Sequence, residues 1–125
     1  MNNVLKALIL LPAVLFLSMG LRWLFAPAGV APDFGLTLET GAGLSSQVGD
    51  MTGFFLTLSI CMFVAVFSGR RIWYYPAIML LGITAVARIV AWALHDAALA
   101  IDMIIPEVVI AAILVAASRR LPDKD

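Results

Sequence analysis

Residues 76–94, PAIMLLGITAVARIVAWAL, and residues 103–117, MIIPEVVIAAILVAA, decide the fold. Each run carries a single charge, Arg88 in the first and Glu107 in the second. A helix rises ~1.5 Å per residue and needs about 20 mostly apolar residues to cross the hydrocarbon of a bilayer. The first run is nearly long enough alone, and the second reaches that length by starting near Ala97 and enclosing Asp102. With the turn centred near residues 98–99, Arg88 lies ten or eleven residues before it and Glu107 eight or nine after it. In an antiparallel hairpin a two-residue mismatch is about 3 Å of depth, within reach of an arginine. Since an unpaired charge at bilayer depth costs about 2.5–3.5 kcal/mol on insertion scales, the spacing predicts an interhelical Arg88–Glu107 salt bridge in the outer half of the membrane.

Two further apolar runs lie at about 4–25 and 47–67, giving spans of about 4–25, 47–67, 76–94 and 97–118 in a single transmembrane domain, residues 1–125. The expected fold is all-α, an integral membrane four-helix bundle running up-down-up-down. Composition demands burial in lipid. Of the 125 residues, 63% are hydrophobic and the mean hydropathy is +1.06, against roughly 45–50% apolar in a globular domain even with glycine counted. Eight Lys/Arg balance eight Asp/Glu, which excludes a basic nucleic-acid binder and an acidic disordered tail. One cysteine, Cys61, excludes an internal disulfide, a dithiol redox pair and a thiolate metal cluster; mid-span, its thiol is expected to act as a small apolar group.

Lysine and arginine set the direction. Lys6, Arg70, Arg71, Arg119, Arg120 and Lys124 flank one side of the spans and Arg22 alone the other, so both termini are expected in the cytoplasm. Trp73, Tyr74 and Tyr75 are expected at the inner interface, Trp23 and Trp92 near the outer one. The first span also imitates a signal peptide, with Lys6, the apolar stretch 7–21 and a small-residue stretch at 25–28. Arg22 and Trp23 make that a poor cleavage site, and the helix is expected to be retained.

The outer loop, residues 26–46, is broken by Pro27, Pro32, Gly29, Gly35, Gly41 and Gly43 and is expected to cap the outer face, with Leu36, Leu38 and Leu44 lying on the bundle or the headgroups. Ser45 or Ser46 is the expected N-cap of the second span, and Pro76 suits the first turn of the third. Pro12 and Pro106 are expected to kink their helices. Gly49 and Gly53 form a GxxxG match at a polar boundary, read first as ordinary packing within the chain. Ala87, Ala91, Ala112 and Ala116 likewise read as close-packing positions.

Thr84, Arg88, Trp92 and His95 share one helix face, as do Met103, Glu107, Ala111, Leu114 and Ser118. Arg22, Gln47 and Asp50 lie at a similar depth and sketch a polar cluster under the outer loop. The candidate site is therefore Arg88, Glu107, His95, Asp50 and Arg22. It reads as a structural ion pair with solvated neighbours, or as an outward-facing pocket in which Arg88 contacts an anion and Glu107 or His95 titrates. No catalytic residue is assigned. His95, Asp96 and Asp102 lack the second histidine and spacing of a metal site, and no cofactor is expected, since a bis-histidine haem needs a second histidine from another chain.

Three function classes follow. The first is a non-enzymatic accessory or assembly subunit packing against a larger membrane complex, because few residues lie outside the spans and several faces carry small side chains. The second is a small-ligand, lipid or quinone binder or transporter with its pocket around Arg88 and Glu107. Small multidrug exporters also have four spans, but their essential glutamate is in the first, which here has none. The third is a membrane enzyme acting on a quinone or lipid, with Arg88, His95 and Glu107 around a lateral pocket. Expected partners are membrane lipids and either a membrane-protein complex or a second copy of the chain, with no nucleic acid.

The segment 20–27, GLRWLFAP, the 49–53 segment, Arg88 in the third span and Glu107 in the fourth together resemble an uncharacterised bacterial family of small four-span membrane proteins, a domain-of-unknown-function group. The likeness covers nearly the whole chain, and the acidic connection 95–102 lies outside what is matched. It implies a four-helix inner-membrane protein and no particular chemistry.

Overall fold

The computed structural model describes residues 2–121, and helices make up almost all of them. Helix α1, Asn3–Phe25, starts where the Asn2 side chain accepts from the Leu5 N–H at 2.8 Å, satisfying one of the donors a helix start leaves orphaned. It stops at Phe25, two residues before Pro27, which opens the one-turn helix α2, Pro27–Val30, in the N1 position where its missing N–H costs nothing. A 3-10 turn over Ala31–Phe34 follows and ends on Gly35 at φ 69°, a left-handed conformation glycine adopts without strain.

Helix α3, Gly41–Ser68, begins six residues earlier than the apolar pattern indicates. Thr40 is its N-cap, with no side-chain hydrogen bond, and Ser45 and Ser46 sit inside the helix. A 3-10 turn over Arg71–Trp73 leads into α4, Tyr74–Leu94, with Pro76 in the first turn. Helix α5, Ile101–Arg119, begins later than expected, because residues 97–100 belong to the connection. There Asp96 adopts φ 58°, and the N–H groups of both His95 and Ala97 return to the Ala91 carbonyl. Pro12 and Pro106 lie inside α1 and α5, which continue as helices through them.

Helix α1 packs mainly on α3 and α4 mainly on α5, while contacts of α3 with α4 and α1 with α5 join the pairs into a bundle. The core repeats at helical spacing: Ile9, Ala13, Phe16 and Trp23 from α1, Phe55, Leu58, Met62 and Ala65 from α3, Tyr74, Ala77 and Leu81 from α4, with Leu114 and Ala117 from α5. Trp23 and Tyr74 are wholly buried. Their rings fill the interior instead of facing headgroups, whereas Trp73, Tyr75 and Trp92 are exposed as interfacial residues should be. Of the alanines expected to pack closely, Ala87, Ala112 and Ala116 are exposed and Ala91 is half-buried, whereas Ala13, Ala65 and Ala117 are fully buried.

The outer surface is apolar. Leu11, Phe67 and Leu94 are each more than two-thirds exposed, an arrangement that water penalises and lipid tails do not. Four helices, Asn3–Phe25, Gly41–Ser68, Arg71–Leu94 and Ile101–Arg119, are long and apolar enough to cross a membrane. These features make it a membrane protein. Of the flanking cations, Lys124 lies outside the described residues.

Candidate functional site

The bundle is not filled at the end that carries the 26–40 connection. A cavity of about 540 Å³ opens there between α1, α3, α4 and α5, within the range typical of small-molecule sites. Its apolar wall is made of Phe16, Phe34, Phe54 and Phe55 with Met19, Met51 and Met103. Phe55 organises the rings, 5.0 Å from Phe54 in an edge-on pair, a favourable arrangement, and 5.4 Å from Phe34 and 5.9 Å from Phe16 in tilted ones. Phe34 reaches this wall because the short helical turns after Pro27 fold back over the bundle, setting its ring 5.9 Å from Trp23. The connection is thus an ordered cap, with Leu38 packed on the core and Leu36 exposed.

Six charged side chains line the same cavity: Arg22, Asp33, Asp50, Arg88, Asp102 and Glu107. Arg88 comes from α4 and Glu107 from α5. Nε of Arg88 donates to Glu107 Oε1 at 3.0 Å and to Oε2 at 3.2 Å. The Glu107 side chain is 12% exposed and that of Arg88 30%, so the carboxylate is the more deeply enclosed partner of a pair whose two residues both line the cavity. Neither terminal nitrogen of Arg88 makes a hydrogen bond among the described residues.

At the rim, Arg22 Nη2 donates to Asp33 Oδ2 at 3.3 Å and to the Gly29 carbonyl at 3.2 Å. Both side chains are about half exposed, where an ion pair adds little stability; its effect is to tie the cap to the end of α1. Gln47 does the same for α3, accepting from the Glu39 N–H at 2.9 Å and donating to the Thr37 carbonyl at 3.0 Å. Asp50 and Asp102 make no side-chain hydrogen bond among the described residues. Asp102, in the first turn of α5, also faces the favourable end of that helix dipole.

Four of the five residues singled out in the sequence, Arg22, Asp50, Arg88 and Glu107, therefore meet around one space. His95 does not. It is the exposed C-cap of α4 and lines no part of the cavity. Gln47 serves the cap rather than the cavity. Among the described residues no three His, Cys, Asp or Glu side chains converge on a metal-sized site. Asp33 and Phe34 had no periodic signal to mark them. Their only trace in the sequence is the pair of prolines, Pro27 and Pro32, which turn the chain back toward Arg22.

On α5, Met103 and Glu107 line the cavity while Leu114 and Ser118 are buried further along, so that face does point inward. Gly49 and Gly53 behave oppositely to the sequence expectation. A Cβ built on either meets no atom within 4 Å, so this GxxxG face packs against nothing in the chain. Comparison with profiles of known protein families, with curated proteins and with solved structures finds no match.

Proposed function

We propose that this chain is a bacterial inner-membrane protein, its four helices alternating up-down-up-down with both termini cytoplasmic, that holds a small amphiphilic molecule in the cavity around Arg88 and Glu107. The concentration of flanking Lys and Arg on one side supports the orientation. The observation that carries the function is the way Arg88 is used. A purely structural arginine at bilayer depth gains most by offering two parallel N–H groups to its carboxylate. Here the carboxylate is held through Nε alone, and the terminal N–H groups of this cavity-lining arginine have no hydrogen-bond partner among the described residues. An aromatic and thioether wall beneath charged groups suits a ligand with one apolar and one polar end.

Wild-type protein purified in mild detergent is expected to carry an amphiphile extractable into organic solvent. A folded Arg88→Met/Glu107→Leu variant should lose it. Wild-type protein with nothing above the detergent background would overturn the reading.

A second reading is the accessory or assembly subunit, favoured by the unpacked Gly49 and Gly53 face, since close helix association in membranes uses such small residues. Photocrosslinkers placed at 49 and 53 in native membranes should then trap one protein partner, and labelling of lipid alone would exclude it.

A further inference from the structure

A second recess adjoins the cavity. Between α3 and α4, Phe54, Thr57, Met79, Leu80 and Ile83 enclose a groove of about 400 Å³ that reaches Pro76. Phe54 and Thr84 line both spaces, so these two side chains are the partition between them. The Thr84 hydroxyl is already spent on the Leu80 carbonyl at 2.6 Å, which leaves the partition apolar. Met79 and Ile83 are about 60% exposed, so the groove opens sideways toward lipid. From Thr84 back to Pro76 it runs ~12 Å along the helix, away from the charged end and into the hydrocarbon.

The unspent polar groups describe the other end of an occupant. In the cavity Arg22 is paired with Asp33 and Arg88 with Glu107. What remains is the terminal N–H groups of Arg88 as donors, with Asp50 and Asp102 as uncompensated carboxylates. Two guanidinium groups against four carboxylates make the lining net negative by two, which repels a simple anionic head. A simple cationic head would leave the Arg88 donors unsatisfied. A head bearing both charges complements both sets.

Building on the reading above, we propose that the ligand is a zwitterionic phospholipid, its phosphate on the terminal nitrogens of Arg88, its ammonium toward Asp50 and Asp102, and one acyl chain passing Phe54 and Thr84 into the α3–α4 groove, so that entry is lateral from the bilayer.

The test is native mass spectrometry of delipidated full-length protein, offered a palmitoyl-oleoyl phosphatidylethanolamine, the matching phosphatidylglycerol, and tailless glycerophosphoethanolamine. The ethanolamine lipid should be retained at least about tenfold better than the glycerol lipid, a difference of about 1.4 kcal/mol, and the tailless head should not be retained. Asp50→Asn/Asp102→Asn should bring the two lipids to equal retention. Ile83→Trp should reduce retention of both, and Ile83→Val, which keeps the groove open, should not. Equal or better binding of phosphatidylglycerol by the wild type overturns the zwitterionic head, and retention of the tailless compound overturns the lateral chain. Retention of some other amphiphile with Ile83→Trp unaffected overturns this inference while sparing the cavity as a site. Failure to retain any amphiphile overturns both.

Discussion

One N–H of Arg88 on α4 sits between the two carboxylate oxygens of Glu107 on α5, at 3.0 and 3.2 Å. The pair joins two helices across a space that is otherwise apolar on one side and charged on the other. Removing one partner therefore strands a charge that is partly desolvated, Glu107 more than Arg88, whereas removing both does not. Arg88→Met alone or Glu107→Leu alone should destabilise the protein by about 2–4 kcal/mol, at or below the range for fully buried pairs, and the double variant by much less. Thermal unfolding in one detergent across the double-mutant cycle measures this. A double variant as unstable as the sum of the singles would mean the two side chains act independently.

How much of this was readable beforehand depended on whether the signal was periodic. The four spans announce themselves because lipid tolerates little else than long apolar runs. The Arg88–Glu107 pair was accessible because antiparallel depth can be counted from a turn. The start of α3 was not, since Gly41 to Gly43 and the hydroxyls of Ser45 and Ser46 look like loop, yet the helix begins at Gly41, itself at φ 56°. Nor was the cap over the cavity, because Ala31–Phe34 forms a turn too short to leave a hydrophobic period. Trp23 and Tyr74 misled for a related reason. Position near a span end suggests an interfacial ring, but the folded-back cap covers Trp23, and burial follows from that tertiary contact.

The α1–α3 seam depends on one missing side chain. A Cβ at Gly20 would lie 2.6 Å from Leu56 Cδ2, 2.9 Å from its Cγ and 3.2 Å from its backbone nitrogen. Gly20→Ala must therefore push Leu56 aside and spread the helices slightly, at a cost of about 1–3 kcal/mol typical of overpacking. Because the two shortest approaches are to the side chain, Leu56→Ala in the same protein should recover most of the loss. Unfolding midpoints of the two single variants and the double variant check this, and an undiminished Gly20→Ala midpoint would show that the seam yields more easily than the geometry implies.

At the opposite end of the bundle, Arg71 closes α5. Its Nε donates to the Ser118 carbonyl at 2.9 Å and its Nη2 to the Leu121 carbonyl at 2.6 Å, adding a strong donor to a carbonyl that otherwise has only the long bond from the Leu121 N–H at 3.3 Å and tying down the residue beyond the helix end. A lysine carries the same charge without the fork that reaches two carbonyls at once. Arg71→Lys should cost about 1–2 kcal/mol, in line with hydrogen bonds to a charged donor. Hydrogen exchange should rise over the last turn of α5 and stay unchanged around Glu107. Protection lost evenly along α5 would instead mean that Arg71 stabilises the whole helix pairing.

Gly49 and Gly53 offer the cleanest separation between folding and association, because added methyl groups there meet no atom of the chain. Alanine is the better helix former by roughly 0.5–1 kcal/mol, so Gly49→Ala and Gly53→Ala should leave the unfolding midpoint of the isolated protein unchanged or raised. Leucine at either position should be equally harmless to the isolated fold while blocking the close helix approach that small residues permit. Comparing midpoints at widely separated protein concentrations in detergent distinguishes the cases, since stability gained through a second copy grows with concentration. A leucine variant that lowers the midpoint only at high concentration would locate a self-association face on α3; one that lowers it at every concentration would contradict the open space around these glycines.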